Sequence, residues 1–78
     1  MNCYLTAIIE REEDGFVAVC PELDVASQGK TIEEARRNLS EALELFYETA
    51  SSTEIKQRFH KEVYVTNVEV SVDLRGQA

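Results

Sequence analysis

The stretch "TIEEARRNLSEALELFYETA" at 31–50 constrains the fold more than any other part of the chain. Ile32, Ala35, Leu39, Ala42, Leu43, Phe46 and Ala50 fall on one stripe roughly 100° wide, as expected for a helix laid on a sheet. Thr31 and Glu34 form a T-x-x-E capping box, and Glu33 and Glu34 suit the positive end of the helix dipole. The spacing therefore predicts a helix from about Ile32 to Thr49. Glu33, Arg37 and Glu41 are placed for successive i,i+4 charge pairs on its outer side. Leu45 lies off the stripe and Tyr47 sits on its opposite margin, which makes both candidates for an interface between copies.

The sheet this helix needs is written on both sides of it. "YLTAIIE" at 4–10 reads as a strand, "REEDG" as a turn and "FVAVC" at 16–20 as the return strand, with Asp14-Gly15 a strong hairpin signal. A turn of about four residues sets Arg11 opposite Phe16 and Cys20 opposite Ala7. Cys3 then lies on the order of 13 Å from Cys20, too far for a disulfide. Pro21 ends the second strand, and Val25–Gln28 is predicted as a short third strand on its edge. Gly29 is expected to turn the chain with positive φ ahead of the Thr31 cap.

After the helix, "SSTEIKQRFHKE" at 51–62 predicts a loop and one or two helical turns held by Ile55 and Phe59. "VYVTNVEVSVDL" at 63–74 alternates as a final strand, with Tyr64, Thr66, Val68, Val70 and Val72 on one face. A strand after a helix crossover returns parallel to a neighbour. The expected architecture is α+β, a ββ(β)αβ sheet in the order 3-2-1-4, with one main helix on one face and a short second helical turn. One domain spanning 1–78 accounts for the whole chain.

Composition narrows the partners. Fifteen acidic against eight basic residues give a net charge of −7. Affinity for nucleic acid comes mostly from Lys and Arg neutralising phosphates, so neither DNA nor RNA is expected. A basic protein is the better match. The longest uncharged stretch, Met1 to Ile9, is far short of a membrane span, and no basic region precedes it as in a signal peptide. The expectation is a cytoplasmic protein with two reduced cysteines.

Candidate chemistry is sparse. Cys20 is a conceivable nucleophile, but its strand neighbours are apolar, the only histidine is His60, and no Gly-rich oxyanion turn surrounds it. Cys3, Cys20 and His60 match no zinc spacing, so no metal or cofactor is expected. Glu22 and Asp24, two apart, would share a side of a continuous strand, where carboxylates can bind a divalent ion or simply guard a sheet edge. Gly29-Lys30-Thr31 looks like the end of a phosphate-binding loop, but position 24 is Asp where that loop needs Gly.

"EDGFVAVCPELDVASQGKTIEEARRNLSEALELF" resembles the HicB-like antitoxin family. Asp14, Gly15, Ala18, Pro21, Glu22 and Leu23 match its hairpin, Gln28, Gly29, Thr31, Glu33, Glu34 and Ala35 its helix start, and Asn38 to Leu45 its helix body. The resemblance implies a truncated ribonuclease-H-like sheet and a toxin–antitoxin role. The partner it implies, HicA, is a small basic messenger-RNA-cleaving protein resembling a double-stranded-RNA-binding domain. Many members add a DNA-binding domain, whereas here only "RGQA" follows the final strand, so DNA binding is not expected. Lys30 stands where the family usually has Asp, which marks a standalone subgroup.

The leading expectation is thus a non-enzymatic binding protein that neutralises a HicA-like toxin. An orphan oligomeric module and a metal-dependent nuclease using Glu22 and Asp24 are the alternatives. The expected partner-binding residues are Glu10, Glu12, Glu13, Asp14, Glu22 and Asp24. A homodimer first and a tetramer second are expected, through Leu45, Tyr47, Tyr64 and Val68.

Overall fold

The structure, a computed structural model, describes residues 3–59 and 62–73. Among these, the order of elements is β1 (Ile8–Glu12), β2 (Gly15–Cys20), β3 (Val25–Gly29), α1 (Ile32–Thr49) and α2 (Ser52–Arg58). The strands form an antiparallel sheet in the order β1-β2-β3, and α1 packs chiefly on β3 and β2. The fold is α+β, as the sequence predicts.

The hairpin forms where Asp14-Gly15 places it. Arg11 pairs with Phe16 and Glu12 with Gly15, leaving Glu13 and Asp14 as the loop. The Arg11 guanidinium lies 4.6 Å from the centroid of the Phe16 ring, a cation–π contact across the pair. On β2, Ala18 and Cys20 are buried while Val19 between them is exposed, the period-2 alternation of a sheet with one covered face. Ala18, Cys20, Leu23, Ala35 and Leu39 form the buried core, with Leu5, Ile9, Phe16, Val25, Leu43 and Phe46 packed around it.

Thr31 caps α1 as expected: its hydroxyl accepts from the Glu34 amide at 3.0 Å. Glu34 returns the interaction one residue earlier, its carboxylate accepting from the Lys30 amide at 2.7 Å. Three details of the helix depart from the sequence reading. Glu33 pairs with Arg36 at 2.8 Å rather than with Arg37, because Arg36 Nε and Nη2 reach both oxygens of one carboxylate from three residues away. That pair is solvated and contributes little. Ile32 is 56% exposed, since the helix meets the end of β3 at Glu34 and Ala35, further along the first turn. Gly29 does not take positive φ; among the described residues, Asp24 (φ 55°) and Gly15 do. Gly29 is needed for space: a Cβ there would stand 2.5 Å from the Ala35 amide nitrogen.

The final strand is the largest departure. Residues 62–73 belong to no strand, and Tyr64 (82%), Val68 (79%) and Val70 (69%) stand exposed. Leu74, the last residue of the expected strand, lies outside the described residues. Alternation reports which faces a strand presents, not where its partner is. Among the described residues the sheet ends at β1, so the order 3-2-1 holds and a fourth strand beside β1 is not formed within the chain. The expected second helical turn is α2, capped by Ser51, whose hydroxyl accepts from the Glu54 amide at 3.1 Å.

Replacing Gly29 by Ala should force α1 off β3. Urea denaturation should show a loss of about 1–3 kcal/mol. A change within experimental error would mean that the helix can shift without cost.

Candidate functional site

The turn between β2 and β3, Pro21 to Asp24, gathers more long-range polar contacts than any other short segment described. Leu23 drops into the core, fully buried, and its amide donates to the Cys20 carbonyl at 3.4 Å. Asp24 takes a left-handed conformation to start β3. Glu22, half-buried between them, accepts from the Thr6 hydroxyl at 2.7 Å and from the Thr6 amide at 3.1 Å to each oxygen. The Cys20 thiol donates to the same carboxylate at 3.4 Å.

From the opposite side, Arg58 at the end of α2 donates from Nε (3.1 Å) and Nη2 (2.8 Å) to the Leu23 carbonyl, and from Nη2 (2.8 Å) to the Asp24 carbonyl. Its guanidinium also lies 5.2 Å from the Phe46 ring centroid. On α1, the Asn38 side chain donates to the Gln28 carbonyl of β3 at 2.8 Å. Sequence reasoning missed Thr6, Arg58 and Asn38, because each bonds to backbone or carboxylate more than nine residues away and no local spacing marks it.

This geometry corrects the reading of Glu22 and Asp24 as a pair on one strand. They lie in a turn, in different backbone conformations, and the Glu22 carboxylate is occupied by Thr6 and Cys20. It also divides the six acidic residues expected on one docking face. Glu12, Glu13 and Asp14 sit at the hairpin end of β2, with Glu10 beside them on β1. Glu22 and Asp24 sit at the other end of that six-residue strand, roughly 17 Å away at the usual rise.

At the hairpin end, Glu12, Glu13 and Asp14 face Lys30 and Glu34 across a hollow of about 770 Å³. All except Glu34 are exposed. The hollow is thus open and predominantly acidic. A second groove, of about 990 Å³, runs between residues 3–7 and the side of α1 that carries Leu39, Leu43 and Tyr47. The residues expected at an interface are all on the surface: Leu45 is 58% exposed, and Tyr47, Tyr64 and Val68 are exposed as well.

No three His, Cys, Asp or Glu side chains among the described residues gather as metal ligands would. Both Cys3 and Cys20 are free thiols, Cys3 exposed and Cys20 buried. His60 lies outside the described residues. Burial pushes the Cys20 thiol up, and the adjoining Glu22 carboxylate adds to the shift, against a smaller opposing effect of the Leu23 backbone. A thiol so placed is a poor nucleophile.

Burial also acts to raise the Glu22 carboxyl, but the hydrogen bonds from Thr6 and Cys20 together outweigh it and hold the group below the usual carboxylate range. The unfolded chain therefore takes up this proton before the folded protein does as pH falls. Glu22 contributes its full stabilisation above the ordinary glutamate pKa of about 4.3 and loses it as pH drops through the lower folded value. Glu22→Gln should cost about 1–2 kcal/mol at neutral pH and flatten the acid limb of the stability curve, measured by urea titration across pH. An unchanged acid limb would show that the Thr6 contacts carry no charge dependence. A thiol reagent should label Cys3 at once and Cys20 only after unfolding; equal rates would contradict the burial of Cys20.

No protein-family model matches the chain, and no solved structure matches it. A UPF0150 protein of Helicobacter pylori is 35% identical over 68 residues, which cover 86% of this chain and 94% of that protein. Two UPF0150 proteins of Synechocystis sp. are 50% identical over 50 residues (62% of this chain, 69% of theirs) and 48% identical over 46 (56% and 58%). No helix among the described residues is long and apolar enough to cross a membrane. With nearly all of the Helicobacter pylori protein covered at that identity, the chain belongs to the UPF0150 family.

Proposed function

We propose that the chain is an antitoxin-type binding protein of the HicB-like kind, acting in the cytoplasm. It neutralises a small basic messenger-RNA-cleaving toxin by protein–protein contact and catalyses nothing itself. The acidic hollow at the hairpin end is the observation that carries this reading. Glu12 at the end of β1 and Glu13 and Asp14 in the hairpin loop present three adjacent exposed carboxylates, with Glu10 beside them. Clustered carboxylates on a protein of net charge −7 attract a basic partner and speed its association.

A nuclease reading finds less support. Catalysis through a divalent ion needs carboxylate oxygens left open for the metal. Those of Glu22 are engaged by the Thr6 amide and hydroxyl. The sheet is read here as the truncated ribonuclease-H-like arrangement, in which a strand beside β1 completes the order 3-2-1-4.

The test is neutralisation of a small basic ribonuclease of double-stranded-RNA-binding shape encoded beside this chain. The wild-type protein should block its RNA cleavage. Glu12→Lys/Glu13→Lys/Asp14→Lys should slow association by about tenfold or more at low salt. A toxin that escapes wild-type protein would sink the antitoxin reading. Undiminished association of the triple variant would move the docking face elsewhere.

A further inference from the structure

We propose that residues 62–73 are an exchanged strand: each copy lays this segment along the outer edge of β1 in a second copy, over the groove between residues 3–7 and α1. Strand and slot are both present in the one chain, and among the described residues no strand pairing joins them. Residues 62–73 alternate as a half-buried strand does, yet Tyr64, Val68, Val70 and Val72 are 55–82% exposed. The Cα radius of gyration is 16.1 Å, against about 11.5 Å for a compact chain of this length. The segment thus stands off the body as an arm.

The slot is the complement of the arm. The outer edge of β1 is unpaired among the described residues, which leaves its outward N–H and C=O groups open to an added strand. Beside it the groove offers Leu39, Leu43 and Tyr47 from α1. A strand hydrogen-bonded to β1 would turn one face towards that side of the helix. Tyr64, Thr66, Val68, Val70 and Val72 form one such face, apolar except for a threonine.

Arg58 ties the end of α2, the last helix before the arm, to the carbonyls of Leu23 and Asp24.

The charge distribution along the arm leaves a second copy free to be the occupant. Two chains of net charge −7 repel, and the repulsion is least where charge is absent. Residues 63–68, "VYVTNV", carry none, and the rest of the arm has only Glu62, Glu69 and Asp73. Reciprocal exchange about a two-fold axis fills both slots with both arms and leaves neither exposed.

The test uses the full chain. Sedimentation equilibrium at micromolar concentration should give the mass of two copies or a multiple of it. In a mixture of isotope-labelled and unlabelled chains, filtered NMR spectra should show contacts between the arm valine methyls of one copy and Leu43 or Tyr47 of another. Val68→Lys/Val70→Lys, on the apolar face, should reduce the mass to one copy with the helical circular dichroism retained. Asn67→Lys, on the opposite face, should leave the assembly intact. A wild-type protein of one-copy mass overturns the proposal. So do arm contacts found only within a chain, which would place the strand on its own β1, or an assembly in which the arm makes no contact.

Discussion

The Glu22 carboxylate is the point on which the outlying parts of this molecule depend. It takes hydrogen bonds from Thr6 at one side and from Cys20 at the other, and so fixes the segment before β1 to the end of β2. On the far side of the same turn, Arg58 holds α2 by two consecutive carbonyls. Leu23, between these ties, is a core residue. One four-residue turn therefore anchors the amino-terminal segment, the second helix and part of the core. Charge-assisted hydrogen bonds suit this task, because a half-buried carboxylate or guanidinium satisfied several times over defines a geometry that apolar contact alone leaves loose.

Such anchoring matters because the core is thin. Among the described residues the core is Ala18, Cys20, Leu23, Ala35 and Leu39, three of them small. Small side chains let α1 approach the sheet closely, and Gly29 beside Ala35 extends that close approach to the end of β3. Close packing of small residues gains dispersion contacts but removes less apolar surface from water than large side chains would. A 78-residue chain has little surface to bury in any case. Polar ties at the turn offset part of this shortage, and the strand exchange proposed above would offset more of it.

The elements legible in the sequence were those whose signals are local. The α1 boundaries, the Thr31 cap, the Arg11–Phe16 register and the burial of Cys20 each follow from spacing or from immediate neighbours. What failed was non-local. A glycine ahead of a helix cap reads as a left-handed turn, but the role of Gly29 depends on Ala35 passing overhead, which no window around Gly29 reveals. Nothing local distinguishes Asp24, which does take positive φ, from a strand carboxylate. Glu22 looked like half of an acidic pair because its partners, Thr6 and Cys20, lie on other elements. The acidic residues seemed to form one face because sequence proximity hides the length of β2 between them.

The segment 62–73 carries a physical tension that bears on how the protein assembles. "VYVTNV" is uncharged, free of Pro and Gly, and rich in β-branched and aromatic residues, the composition of segments that pair edge to edge without limit. An arm of this kind, offered to an open β1 edge, could link copy to copy head-to-tail into a fibre. Two features oppose that outcome. Glu62 and Glu69 bracket the run, so a parallel, in-register stack of identical arms sets like charges against each other. The body behind each arm is acidic, and every added copy in an open chain increases the repulsion, whereas a closed pair meets it once. Reciprocal exchange is the arrangement that satisfies both arms and both β1 edges while joining the fewest charged bodies. The net charge of −7, which suits the acidic hairpin end to a basic partner, thereby also favours a closed assembly over an open one.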